Sequence, residues 1–189
     1  MLEFFLRSAA DLDRARQSHF SSLFARTAAP ARIITTDILS ISPDDVGPVD
    51  LAITSPPYPN AYEYWLYHKY RMYWLGFDPI AVREAEIGAR PHFFKKNHHT
   101  AEDFERQMGA VFRLLHQTLR ASGFACFVVA DSRIHGHIVD NVALLKRAAS
   151  DHGFTLLTVV KRHVPNTRKA FNPANARTNA ESIVVFGRS

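Results

Sequence analysis

Thr54-Ser55-Pro56-Pro57-Tyr58 is the stretch whose residue types and order could do chemistry. It follows the apolar run Leu51-Ala52-Ile53, which reads as a buried strand opening at Asp50. Proline fixes φ and carries no N–H, so the strand must stop at Ser55 and the next two residues are held stiffly. The residue before a proline is pushed toward extended geometry, which restricts Ser55 and Pro56 as well. The product is a rigid corner that offers one hydroxyl, free carbonyls and an aromatic ring. Open α/β sheets bind their ligands at this end of their strands. An exocyclic amine on a nucleobase is a poor nucleophile, because its lone pair is delocalised into the ring. Accepting its N–H bonds at the Ser55 hydroxyl and the Pro56 carbonyl would localise that lone pair, while Tyr58 stacks on the base. No strong general base is required, since the amine loses its proton readily once alkylated. A base held this way has left its duplex.

The elements that must position this corner follow from hydrophobic spacing. Residues 2–26 carry apolar side chains near helical spacing and predict an amphipathic helix that covers a sheet face, so residues 1–30 form an N-terminal helical segment. Residues 32–36 are β-branched and predict a short strand with Asp37 at its carboxyl end. Strand 49–54 leads into the corner. Residues 62–74 hold five tyrosines and two tryptophans and predict a helix stopped by Gly76, its rings either core or the lining of a pocket for a flat group. Residues 77–99, with Pro79, Gly88 and Pro91, read as a long loop. His92, His98 and His99 lie there without a carboxylate or thiol at ligand spacing, so no metal site is expected. Thr100 to Asp103 resembles a capping box and opens a helix closed by Gly123. The run from Phe124 to Ala130 predicts a strand buried on both faces, with Asp131, Ser132 and Arg133 at its carboxyl end. A helix over 138–152 follows, then strands 154–163 and 182–186.

Strands alternating with helices indicate α/β with a mostly parallel sheet, and two final strands with no helix between them imply an antiparallel edge pair. The 189 residues suffice for one domain with a real core. A composition of 47% hydrophobic and 22% charged residues excludes a disordered or fibrous chain. No apolar run approaches the ~20 residues of a membrane span. The N-terminus does not read as a signal peptide, and a cytoplasmic location is the default expectation. Cys126 is the only cysteine, which excludes an internal disulfide and a multi-cysteine zinc site. The net charge of +5 permits a polyanionic partner, and Lys161, Arg162, Arg168, Lys169 and Arg177 form a stretch without acids that suits phosphate contacts. A solvated loop is the plain alternative.

Ser55-Pro56-Pro57-Tyr58 at the end of an apolar strand resembles the catalytic motif of the amino-group DNA methyltransferases, which use S-adenosylmethionine. The run Pro59 to Tyr64, the tripeptide Glu86-Ile87-Gly88 and the stretch Phe171 to Arg177 are also similar to bacterial members, so the resemblance spans roughly residues 30–188. It implies a Rossmann-like methyltransferase sheet, with residues 31–189 its catalytic part and Ser55, Pro56, Pro57 and Tyr58 its catalytic residues. It further implies S-adenosylmethionine as cofactor, DNA as partner, and a role in DNA methylation and restriction–modification. Asp37 fits the acid that contacts the cofactor's adenine in this fold, and a turn aspartate is the alternative. Arg168, Lys169, Asn172, Asn175 and Arg177 are the candidates for DNA contacts. Ser in the first motif position is commoner in N4-cytosine enzymes; N6-adenine in DNA, an RNA amine, or a nucleic-acid-binding remnant without activity stay open.

The sequence departs from this pattern in one respect. Methyltransferases of this fold bind their cofactor with a glycine-rich turn after the first strand, where only glycine allows close backbone approach. No two glycines of this chain are separated by a single residue, and nothing before Asp37 reads as the first two strands. The expected explanations are a truncated gene product, a second polypeptide or missing N-terminal segment that carries the turn, or a lost cofactor site. Titration calorimetry on the 189-residue chain should therefore show weak S-adenosylmethionine binding or none; a tight one-to-one isotherm would refute this.

Overall fold

Strand β1 (Val49–Thr54) forms where the apolar run places it and stops before the two prolines. It belongs to a computed structural model that describes residues 31–60, 63–94, 98–163 and 180–189. The chain divides into two units, Met1–Thr35 and Thr36–Ser189. Residues 31–35, the described part of the first, contain no regular element. The second unit holds everything that follows, and the predicted helix over 2–26 lies outside the described residues.

In chain order the second unit contains α1 (Pro43–Val46), β1, α2 (Tyr64–Trp74), α3 (Pro79–Ala85), a 3-10 turn (Arg90–Phe93) and α4 (Ala101–Thr118). Then come β2 (Leu119–Val129), β3 (Ser132–Ile134), β4 (His137–Val139), α5 (Asn141–Ser150), β5 (Phe154–His163) and β6 (Ala180–Arg188). The main sheet has the order β1-β2-β6-β5. β1 runs parallel to β2, with Thr54 opposite Phe127, and β6 is antiparallel to both its neighbours. β1, β2 and β5 thus point the same way and β6 alone is reversed. This is the expected α/β sheet with its antiparallel C-terminal pair. Among the described residues β1 pairs on one side only, and no helix is long and apolar enough to cross a membrane.

Helix α4 starts at the predicted capping box: the Thr100 N–H donates to Asp103 Oδ2 at 2.8 Å. Its apolar stripe buries Phe104, Met108, Val111 and Phe112 against the sheet, and α5 adds Leu144, Leu145, Ala148 and Ala149 to the same core. Phe112 is the centre. Its ring lies 4.9 Å from Phe127 and 5.3 Å from both Phe154 and Phe186, so one helix residue touches β2, β5 and β6.

Several sequence expectations need correction. Residues 32–36 form no strand, because a β-branched run is extended structure only where a neighbour supplies its hydrogen bonds. The 77–99 stretch is not one loop: Asp78 caps α3 by accepting from the Ile80 N–H at 2.8 Å, and Pro79 takes the first helical position, where proline is favourable. Gly123 does not close α4, which ends at Thr118 and passes straight into β2. It lies beside an irregularity in the β1–β2 ladder, where a Cβ would come within 3.1 Å of the Asp50 carbonyl oxygen, so glycine there serves close strand approach. The helix expected from 138 begins at Asn141, after the β3–β4 hairpin. β2 is buried on one face only: Ala125, Phe127 and Val129 point into the core, whereas Phe124 is exposed with Leu51, Ile53 and Leu157. α4 and α5 cover a single face, and a continuous apolar run does not say how many faces are covered. α2 is likewise no core helix, since none of its residues is buried and Trp74 is 92% exposed.

Because Phe112 joins three strands to α4, Phe112→Ala should cost about 3–5 kcal/mol by loss of transfer energy plus a cavity. Urea unfolding of the two proteins measures this, and a loss below about 1 kcal/mol would remove Phe112 from the centre of the core.

Candidate functional site

The sheet directions bring the site together. The carboxyl ends of β1, β2 and β5 meet the beginning of the reversed strand β6 at one edge, where His163 pairs with Ala180. Ser55 sits at that edge, exposed, directly after Thr54. Its hydroxyl donates to the Val128 carbonyl of the adjacent strand at 3.2 Å. This bond has a chemical consequence. While that bond is made the hydroxyl's one proton is engaged on β2, and its lone pairs are left to accept.

Pro56 is buried and Pro57 and Tyr58 are half-buried, so the corner is set into the protein rather than standing free as a loop tip. The following residue, Pro59, is fully buried. The Tyr58 hydroxyl donates to Glu181 Oε1 at 3.4 Å, and the other oxygen of that carboxylate takes the Arg162 guanidinium across the β5–β6 pair. Tyr58 is therefore tied to the far strands of the sheet. Burial, reinforced by the Glu181 charge, raises the phenol's pKa above its ordinary value of about 10, although the nearby Ser55 hydroxyl opposes the shift.

Asn60 ends the corner in the left-handed region at φ 60°, where asparagine is tolerated, and its Nδ2 donates to the Arg133 carbonyl at 2.8 Å. The end of β2 is fixed in turn from α5. Asn141 is buried, and its Nδ2 donates to the Ala130 carbonyl and to Ser132 Oγ, both at 2.7 Å. Ser132 thus serves the frame. Asp131 is exposed at the same edge, and Arg133 donates to the Gly136 carbonyl at 2.8 Å within the β3–β4 hairpin.

Asp37 ends no strand. Its Oδ1 accepts from the Leu39 N–H at 3.0 Å, and its carbonyl accepts from the N–H groups of Ser40 and Ile41. It behaves as a turn aspartate whose side chain competes for local backbone. Arg168, Lys169, Asn172, Asn175 and Arg177 lie outside the described residues. Among the described residues no three or more His, Cys, Asp or Glu come together as a metal site would need.

The structure thus brings Ser55, Pro56, Pro57 and Tyr58 together with Asn60, Glu181, Asn141 and Arg162, and it leaves Asp37 in a turn of its own. Asn60 stands within the run Pro59 to Tyr64 singled out from the sequence, and its place two residues past Tyr58 was a usable signal. Glu181 was not legible, because its role depends on β6 being reversed and inserted beside β2. Asn141 carried no signal, since a buried asparagine at a helix start looks like any capping residue.

A family profile described as DNA methylase, of the N6/N4 type, matches residues 49–189, about three quarters of the chain. Among solved structures the chain is similar to a Thermus thermophilus protein assigned as a DNA modification methylase. The match to one crystal form has 19% identity and a TM-score of 0.47, covering 81% of this chain and 52% of that one. The selenomethionine derivative gives 18% identity and a TM-score of 0.44, with 80% and 48% covered. The complex with S-adenosyl-L-methionine gives 19% and 0.44, with 80% and 49% covered. This chain spans about half the length of those structures. No curated protein matches it.

The raised Tyr58 pKa has a defined sign. The folded state favours the protonated phenol, so the stabilisation is complete below the unfolded pKa near 10 and is lost as pH rises through the higher folded value. Spectrophotometric titration at about 295 nm, where phenolate absorbs, of the parent minus Tyr58→Phe should isolate one inflection above about pH 10. An inflection at or below about 10 would mean that the ring is solvated and not held on Glu181.

Proposed function

This chain belongs to the DNA methylase family, and from that premise we propose that the Ser55–Tyr58 corner holds the exocyclic amine of a flipped base for methylation, with cytosine N4 the favoured acceptor. The observation that carries the reading is the Ser55 hydroxyl bond to the Val128 carbonyl. A serine whose proton is engaged elsewhere presents lone pairs, and lone pairs are what an amine's N–H groups need. The Pro56 carbonyl is the second acceptor. Tyr58 supplies the stacking surface, and its bond to Glu181 limits how far the ring can tilt. Once alkylated, the amine gives its proton to solvent, so the corner needs no base of its own.

The methyl group would come from S-adenosylmethionine. The described residues do not by themselves fit that group. Asp37 Oδ1 is engaged in its own turn, and no pair of glycines stands one residue apart. In this reading a segment or second polypeptide with a glycine-rich turn supplies the donor side, and this chain supplies the acceptor side. Arg168, Lys169, Asn172, Asn175 and Arg177 are assigned to DNA contacts on their charge and hydrogen-bonding capacity. The Asp37 turn also favours a second reading, a nucleic-acid-binding subunit that keeps the base pocket and transfers nothing. The Ser in the motif favours cytosine over adenine.

The deciding experiment is incubation of DNA with labelled S-adenosylmethionine and this chain, with and without a polypeptide carrying the glycine-rich turn, followed by nucleoside analysis. Label should appear in N4-methylcytosine when both parts are present, and Ser55→Ala should lower the rate roughly tenfold to a hundredfold, as expected for one hydrogen bond to a group gaining charge. Label in N6-methyladenine would change the acceptor. Absence of label, with Ser55→Ala binding DNA as the parent does, would end the catalytic reading.

A further inference from the structure

Three residues that follow α3, Glu86-Ile87-Gly88, touch both ends of the segment that leads from the corner into α2. At the far end, Glu86 Oε1 accepts from the Tyr64 N–H at 3.1 Å and Oε2 accepts from the Trp65 N–H at 2.9 Å. These are the first two amides of α2, which have no partner inside the helix. Glu63, in the capping position, offers no side-chain bond, so a carboxylate from about twenty residues away does the capping. At the near end, the Gly88 carbonyl accepts from the Asn60 N–H at 3.0 Å. Gly88 itself, at φ +69°, lies so close to the corner that a Cβ would come within 3.2 Å of the Pro59 Cα. Ile87 and Gly88 are buried, so this brace is set into the protein.

We infer that Glu86 is a positioning residue, which together with Gly88 fixes where the acceptor corner stands relative to the start of α2. The role rests on the functional reading above, because only an acceptor site gives the corner's position a purpose. Three consecutive residues thus hold Asn60, Tyr64 and Trp65. The carboxylate is retained at a cost. Burial raises the Glu86 pKa above the usual carboxylate value even though the two backbone N–H groups lower it. A charge held against its own desolvation is accounted for by what it holds. Glutamine in its place would relieve the desolvation and present one acceptor where two are used, loosening the cap without weakening the core.

The test is amide hydrogen exchange by NMR on the full 189-residue chain, comparing the parent with Glu86→Ala and Glu86→Gln. A second arm measures binding of a single-stranded oligonucleotide with one unpaired cytosine against its abasic counterpart. Glu86→Ala should speed exchange about tenfold at Tyr64 and Trp65 and several-fold at Asn60, with Phe127 and Val184 unchanged. Glu86→Gln should fall between the two. The preference for cytosine should drop about tenfold in Glu86→Ala. If Tyr64 and Trp65 exchange faster while Asn60 and the cytosine preference stay as in the parent, Glu86 is only a helix cap and the inference fails. It fails equally if Phe127 and Val184 accelerate with the rest, since that is general loss of stability. Should the parent itself show no cytosine preference, the functional reading falls and takes the positioning role with it, whereas exchange at Asn60 still tells whether Glu86 braces the corner.

Discussion

Two successive prolines after Ser55 remove two amide donors from the end of β1 and fix two φ angles, so the chain cannot add another rung to its ladder with β2. What replaces the missing rung is a side-chain bond, the Ser55 hydroxyl on the Val128 carbonyl. The strand end stays registered on its neighbour while its backbone turns away. In the proposed reading the same bond bears on the chemistry, because a hydroxyl has one proton to give. Removing the prolines would let the strand continue and bring Ser55 into the ladder. Removing the hydroxyl would leave the corner stiff but without its bond to β2.

The other parts of the site arrive through strand direction. A parallel strand delivers its carboxyl end to the edge where β1 stops, and an antiparallel strand delivers its beginning. β6 therefore places Glu181 within reach of Tyr58, and β5 places Arg162 opposite Glu181. These contacts survive only if the sheet is rigid, and the Phe112 ring against Phe127, Phe154 and Phe186 makes three strands and α4 one packed body. The link runs from an aromatic cluster in the core to the orientation of one tyrosine at the edge.

How much of this was legible in the sequence depended on whether the cause was local. Ser55 to Tyr58 was readable because proline acts on its own φ and on its immediate neighbour. The Thr100–Asp103 cap was readable for the same reason, and so were the limits of β5. The strand expected at 32–36 failed because β-propensity needs a partner strand, which sequence spacing does not supply. Asp37 therefore ends no strand, and its side chain makes the turn nearest to it. α3 escapes a local reading because Pro79 looks like a breaker, although after Asp78 it stands where proline starts a helix. Glu86 bridges about twenty residues to α2, and no local rule points across that distance.

In the proposed reading, holding the acceptor and holding the donor make different demands on a chain. Holding an amine takes a few acceptors in a fixed plane, which a stiff corner provides when braced by neighbouring strands. Holding a donor takes close approach of backbone to ligand over several residues, which calls for glycines in a particular turn. The glycines of this chain that meet backbone closely do so for internal reasons: Gly88 lies against Pro59, and Gly123 lets β2 approach β1. The open face of the sheet, with Leu51, Ile53, Phe124 and Leu157 exposed, sits beside the unpaired side of β1 among the described residues. Ser55 and Tyr58 are each held by a bond to a strand of the sheet, Ser55 on Val128 and Tyr58 on Glu181.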